Sequence, residues 1–176
     1  MILRSLTIED ETDAVRAHAL LAPEEFPFLF DFEPGDDFVA YVARVDAFNA
    51  GGQFSKGGVP GAFLIAEVDG AIVGRLSVRF ELNDYLRLYG GHVGYCVLPE
   101  FRRRGYASGM LGEGLELLRQ RGTVSVLVTC DEDNAGSRAV IERAGGHFDK
   151  RVDGDGSGPK RHYWFETSNL GATASS

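Results

Sequence analysis

The stretch from His92 to Cys130 reads as strand, helix, strand, and that order constrains the fold more than anything else in the chain. From Arg104 to Arg121 the apolar residues Ala107, Met110, Leu111, Leu115 and Leu118 recur every three or four positions, and Gly122 sits where a helix stop belongs. On either side lie the β-rich runs His92–Leu98, closed by Pro99, and Val124–Cys130. A crossover helix of this kind joins parallel strands. Elsewhere Ala62–Val68 and Ala71–Phe80 flank Asp69-Gly70, a strong hairpin signal, so antiparallel pairing is expected as well. The class is therefore α/β in the broad, α+β sense, built on a mixed sheet.

The remaining elements follow from local pattern. Ile2–Leu6 predicts an opening strand and Asp10–Ala22 a helix that ends at Pro23. Residues 23–35, PEEFPFLFDFEPG, cannot form a regular helix; the segment either plugs the core or lines a pocket as a lid. Asp36 or Asp37 caps a helix running through Phe48 to the Gly51-Gly52 stop, and Glu81–Tyr89 reads as one helical turn. An acidic turn, Asp131-Glu132-Asp133, leads into a helix from Ala135 to Ala144 that Gly145-Gly146 ends. Strands at His147–Val152 and Arg161–Phe165 flank a Gly/Asp-rich loop at 153–158, and residues 167–176 read as a disordered tail behind a single domain over 1–166. Gly109, Gly112 and Gly114 each cost the central helix roughly 0.8 to 1 kcal/mol, which implies close packing on the sheet as compensation.

Composition narrows the class of function. A chain of 176 residues, 44% apolar, suits one domain with a real core. Its 18 Lys and Arg against 26 Asp and Glu give a net charge of -8, which disfavours nucleic acid or an anionic membrane as partner and suits an amine-bearing one. No apolar run is long enough to span a bilayer, and the opening Met1-Ile2-Leu3-Arg4-Ser5 lacks a secretory pattern, so a cytoplasmic location is expected. Cys96 and Cys130 fall in apolar runs and read as buried free thiols; His18, His92, His147 and His162 show no metal-ligand spacing, so no metal is expected.

The chemistry concentrates between His92 and Met110. A strand that passes through a proline stop, three arginines and Gly105 into a helix presents free N–H groups and the positive end of the helix dipole together. Arg102, Arg103 and Arg104 add charge, and the ligand suggested is a pyrophosphate; the alternative is a solvated basic turn. The spacing matches neither GxGxxG nor GxxxxGK[ST]. In Val97-Leu98-Pro99 followed by Arg102-Arg103-Arg104-Gly105-Tyr106-Ala107, the sequence resembles the GNAT-type N-acetyltransferase superfamily. The likeness continues through Thr129–Asn134 and Gly145-Gly146, and back to Glu81–Tyr85 and Gly90-Gly91-His92, covering about residues 59–165. The flanking stretches resemble a largely uncharacterised branch of predicted acetyltransferases.

The resemblance implies a single domain with helices on both faces of a mostly antiparallel sheet whose fourth and fifth strands splay. It implies acetyl-CoA as cosubstrate, with the pantetheine arm in the gap against Tyr95, Cys96 and Val97. The pyrophosphate would lie on the amides of Arg102, Arg103, Arg104, Gly105, Tyr106 and Ala107, continuing into Ser108. Asn134 matches an asparagine that contacts the arm, although asparagine is also an ordinary helix N-cap. The activity implied is direct acetyl transfer to a primary amine of a small molecule or peptide, and a homodimer through the terminal strands is compatible with it.

Transfer from a thioester requires a neutral amine, support for the oxyanion and a departing thiolate. A backbone N–H near Val97 is the implied oxyanion donor. His92, Glu81, Asp84 and Asp131 are candidate bases, each also readable as a structural or solvated residue. Acidic residues at 81, 84 and 131–133 facing the acceptor would favour a cationic one. Many relatives carry a tyrosine seven residues after the asparagine as general acid; Ile141 stands there, leaving Tyr95, Tyr106 or water to protonate the thiolate. That departure keeps open a non-catalytic CoA-binding sensor, and a protein for another acyl-CoA is a third alternative.

Overall fold

The computed structural model describes residues 1–24, 26–154, 156 and 158–169. Its strands are β1 (Ile2–Arg4), β2 (Gly61–Val68), β3 (Ala71–Arg79), β4 (Val93–Val97), β5 (Ser125–Asp131), β6 (His147–Val152) and β7 (Lys160–Glu166). The helices are α1 (Glu11–Leu21), α2 (Phe38–Asn49), α3 (Tyr106–Gln120) and α4 (Ala135–Arg143). The strands form one sheet in the order β1-β2-β3-β4-β5-β7-β6, antiparallel throughout except for β4 and β5, which run parallel. The expected mixed sheet is therefore present.

Local chemistry explains the element ends. Asp69 and Gly70 both have positive φ, 51° and 80°, which is the turn that joins right-twisted strands two residues apart. The Asp37 carboxylate accepts from Val39 N–H and Ala40 N–H and caps α2. Helix α3 starts at Tyr106, two residues later than the periodicity predicts, because Arg103 and Gly105 adopt left-handed backbone and belong to the preceding turn. His92 likewise precedes β4, which begins at Val93.

The sheet separates two apolar layers. Phe63 and Ile65 of β2 pack with Ala14, Ala17 and Leu21 of α1 and with Tyr41, Val45 and Phe48 of α2. On the other face Leu76, Val78, Val93, Val126 and Val128 pack with Met110, Leu111, Leu115 and Leu118 of α3 and Ile141 of α4. Helices thus cover both faces. The aromatic segment after α1 belongs to the first layer: Phe28, Leu29 and Phe32 are buried, and Phe26 and Phe30 lie partly buried beside them. Of the two thiols, Cys130 is buried and Cys96 half-buried, both unpaired.

Thr167–Asn169 form a 3-10 turn rather than tail, and the buried Thr167 hydroxyl donates to Thr123 C=O at 2.7 Å. The rest of the expected tail, 170–176, and two positions of the 153–158 loop lie outside the described residues.

Close packing accounts for only one of the three helix glycines. A Cβ on Gly114 would meet Val93 Cγ1 at 3.1 Å and Leu76 Cδ1 at 3.3 Å, whereas one on Gly109 meets only the end of Met1 and one on Gly112 meets nothing. Gly112→Ala is therefore expected to stabilise the protein by about 0.8 kcal/mol in urea unfolding. Gly114→Ala is expected to destabilise it by about 1 kcal/mol, since β3 and β4 must give way; equal effects at the two sites would contradict this packing.

Candidate active site

Strands β4 and β5 meet at one register pair, Val93 with Val128, and part beyond it. Each remains held by its outer neighbour, β4 on β3 as far as Val97 and β5 on β7 as far as Asp131, so a gap opens between their inner edges. Arg79 N–H donates to His92 C=O at 2.8 Å and Leu98 N–H to Val73 C=O at 2.9 Å, which turns the even-numbered residues of this stretch toward β3. By alternation the N–H and C=O of Tyr95 and the N–H of Val97 face the gap. Val97 C=O accepts from Arg102 Nε at 3.1 Å. Main-chain groups need partners, so the free edge suits a ligand that itself carries amides.

His92 fixes the apex of the gap. Its N–H donates to Leu127 C=O at 2.7 Å, and its Nδ1 accepts from Leu127 N–H at 2.9 Å. The residue is only 7% exposed, and burial pushes its pKa down to about 4. A neutral ring whose Nδ1 accepts an amide proton carries hydrogen on Nε2 and has no lone pair left for an ammonium. His92 is accordingly a clip between the strands.

Past β4, Pro99–Phe101 make one 3-10 turn, Arg103 takes φ 63° and Gly105 takes φ 85°. Only glycine adopts the second value without strain, and a Cβ there would project into open space. The first amide of this stretch to return to the helix is Gly109 N–H, which donates to Gly105 C=O at 3.1 Å. The amides from Arg103 to Ser108 thus have no backbone partner among the described residues; α3 has no side-chain cap and no acid in its first turn. Left-handed residues next to a helix N-terminus make a concave anion nest. The arginine triplet divides its work: Arg102 Nη2 donates to both Glu24 carboxylate oxygens at 2.9 and 2.8 Å, and Arg104 Nη2 donates to Glu100 C=O at 3.1 Å. Arg103, exposed, has no partner among the described residues and is the guanidinium free to meet an anion.

The other predicted residues fall around the gap. Tyr95 points to the α3 and α4 side, where its hydroxyl is 3.1 Å from Ser137 Oγ, and burial raises its pKa to about 12. Cys96 points to the opposite face, and burial raises its thiol pKa. Asn134 Oδ1 accepts from Ser137 N–H at 2.9 Å and caps α4, with its NH2 group left to donate. Tyr106, Ala107 and Ser108 form the first turn of α3. Glu81 and Asp84 are exposed between β3 and the turn Leu86–Gly90. Asp131 is paired with Lys160, and Glu132 with Arg161 at 2.8 Å.

Two residues the sequence reading did not single out stand on the α1 and α2 face. Arg75 is 2% exposed; it donates to Phe28 C=O, Pro27 C=O and Ser77 Oγ at 2.8, 2.9 and 3.1 Å and is not paired with an acid among the described residues. Arg79 lies beside it, its Nη1 3.0 Å from where a Gly94 Cβ would be. The available signal was Arg75, Ser77 and Arg79 at period two in an otherwise apolar strand.

The profile described as Acetyltransferase (GNAT) family matches residues 7–146. An N-alpha-acetyltransferase of Sulfurisphaera tokodaii is 24% identical over 125 residues, which are 67% of this chain and 62% of that protein. The matched part thus spans less than two thirds of that relative. The fold is similar to that of Mycobacterium smegmatis RimJ in complex with CoA-disulfide (TM-score 0.69, 19% identity, 96% of this chain and 83% of that one). It is also similar to that of the microcin C7 self-immunity acetyltransferase MccE in complex with acetyl-CoA and AMP (TM-score 0.68, 15% identity, 93% and 91%).

The His92 clip predicts a pH signature. Its pKa lies below the 6.5 of the free side chain, so stability is intact above about 6.5. As pH falls toward about 4 the unfolded chain takes up a proton that the folded one refuses, at a cost of up to about 1.4 kcal/mol per pH unit. His92→Gln retains an acceptor for Leu127 N–H and is expected to flatten this acid limb in denaturant titrations; an unchanged limb would contradict the assignment.

Proposed function

Because the chain belongs to the Acetyltransferase (GNAT) family, we propose that it is an N-acetyltransferase that moves an acetyl group from acetyl-CoA to a primary amine by direct transfer in a ternary complex. The observation that carries this reading is the continuity of the nest at Arg103–Ser108 with the unpaired main-chain edge of Val97 and Tyr95. A diphosphate on the nest and an amide-bearing arm along the edge require that order of groups. Asn134 NH2 stands at the start of α4 on the β5 side of the gap, where it can donate to the arm.

With the diphosphate at the C-terminal end of β4, the arm passes Val97 before Tyr95, and its sulfur end lies toward the apex. The N–H groups of Val97 and Tyr95 are then the donors in line for the developing oxyanion. Acetyl-CoA supplies the activated acyl group: the amine nitrogen forms the C–N bond, the C–S bond breaks, and the proton released from nitrogen goes to water. A phenol pushed up to about 12 is a poor proton source at neutral pH but a sound hydrogen-bond donor. Tyr95 thus steadies the sulfur, which leaves as thiolate with an ordinary pKa near ~8.5. Arg75 and Arg79 stand on the opposite face of the sheet beside β4, and their charge disfavours an ammonium there, lowering the need for a dedicated carboxylate base.

Calorimetric titration with acetyl-CoA is expected to show one site per chain. Gly105→Ala, which forces a Cβ into left-handed backbone, is expected to weaken binding about tenfold through roughly 1–2 kcal/mol of strain. Thiol release over a panel of amines is expected with at least one acceptor; tight binding without turnover of any amine would instead favour a CoA-binding sensor.

A further inference from the structure

Arginine heads withdrawn from water are normally matched by carboxylates, because an unpaired buried charge is costly. Among the described residues the pair on β3 has no such match. Arg75 is met there by main-chain carbonyls, the Ser77 hydroxyl and aromatic faces, with its Cζ 4.2 Å from the Phe30 ring centre and 4.8 Å from that of Phe26. Arg79 has no hydrogen bond or ion pair from its head group among the described residues, only the Phe30 ring at 6.0 Å. Among the described residues, no hydrogen bond or ion pair joins a carboxylate to either head group. Burial and the neighbouring Arg75 charge push Arg79 down to about 10.

Its position has a further consequence. Arg79 Nη1 lies over Gly94, the residue between Val93, where β4 last touches β5, and Tyr95, where the gap begins. Phe26 and Phe30 cover the β3 side of this place. On the other side the turn Leu86–Gly90 is held over β5 and β7 by Thr129 Oγ1 donating to Tyr89 C=O and His162 Nε2 donating to Leu88 C=O, both at 2.7 Å. Between these two covers Gly94 has no side chain, and Arg79 as a residue is half-buried.

Resting on the acetyltransferase reading above, we propose that the acceptor is a small primary amine that also carries an anionic group, a carboxylate or a phosphate, which seats on Arg79 with Arg75 behind it. One residue step is about 3.8 Å, so an anion on Arg79 places a reactive amine only a few bonds away at the apex of the gap. Of the carboxylates expected from the sequence, Asp131 and Glu132 are in ion pairs, and neither Glu81 nor Asp84 is paired with either arginine.

Acceptors in matched pairs test this: amino acids against their amides, aminoalkyl phosphates against the amino alcohols, with a diamine and a short neutral peptide alongside. The anionic member of a pair is expected to be acetylated with the higher kcat/KM, the carboxylate and phosphate series showing which anion is preferred. Arg79→Met is expected to lower kcat/KM for that member by about tenfold to hundredfold more than for its neutral counterpart, the worth of a charged hydrogen bond, while leaving acetyl-CoA affinity unchanged. Arg79→Lys is expected to recover part of the loss, and a circular dichroism melt checks that each variant folds. Preference for the diamine, the peptide or the neutral members, with no effect of Arg79→Met, would overturn the proposal. If acetyl-CoA binds but no amine is turned over, the acetyltransferase reading fails separately; direct titration of the same acceptors then decides, with Arg79-dependent binding of anionic members upholding the anion site and no such binding overturning it.

Discussion

The structure depends on the place where two parallel strands stop being neighbours. A parallel ladder between β4 and β5 would close the sheet and satisfy every main-chain group along it, yet only Val93 and Val128 pair. The separation persists because each strand is committed outward, β4 to β3 and β5 to β7. At its closed end the His92 ring accepts from the Leu127 amide and the His92 N–H donates to the Leu127 carbonyl, which pins the strands together just before they part. Close approach of α3 through Gly114 holds β4 in place from one side. The opening is thus built into the sheet and needs no moving lid.

Charge is distributed against the average. The chain is acidic overall, at -8, but cationic groups flank the gap at both ends: Arg103 and the free amides of the α3 nest beyond β4, and Arg75 with Arg79 beside its start. Of the acids near these places, Glu24 is engaged by Arg102 and Asp131 by Lys160. Net charge alone favours a cationic partner, whereas these local cationic groups favour an anionic group on the acceptor. A desolvated guanidinium without a counter-ion outweighs many solvated carboxylates, because screening in water removes most of their field.

Features set by near neighbours in the chain were legible in the sequence. The Asp69-Gly70 hairpin, the Asp37 cap, the period of α3 and the strand–turn–helix run through Gly105 each depend on a few adjacent residues. The family followed from the same run. What escaped depends on partners far apart: Arg102 on Glu24, 78 positions away, removes one arginine from the amide nest, and His92 on Leu127, 35 positions away, turns a candidate base into a clip. The Phe26–Phe32 segment read as core or as lid until its contacts placed Phe28, Leu29 and Phe32 in the core, with Phe26 and Phe30 over Arg75. The polar alternation of Arg75, Ser77 and Arg79 was visible, but its meaning required knowing that β3 is an inner strand.

The central claim is that the free edge of β4 receives the amide-bearing arm of a CoA thioester. Amide hydrogen exchange, resolved residue by residue with and without CoA, addresses it most directly. The account predicts that the Tyr95 and Val97 amides exchange readily in the free protein and become strongly protected on binding, while the Leu98 amide, already bonded to Val73, changes little. Unchanged exchange at Tyr95 and Val97 under saturating CoA would contradict it.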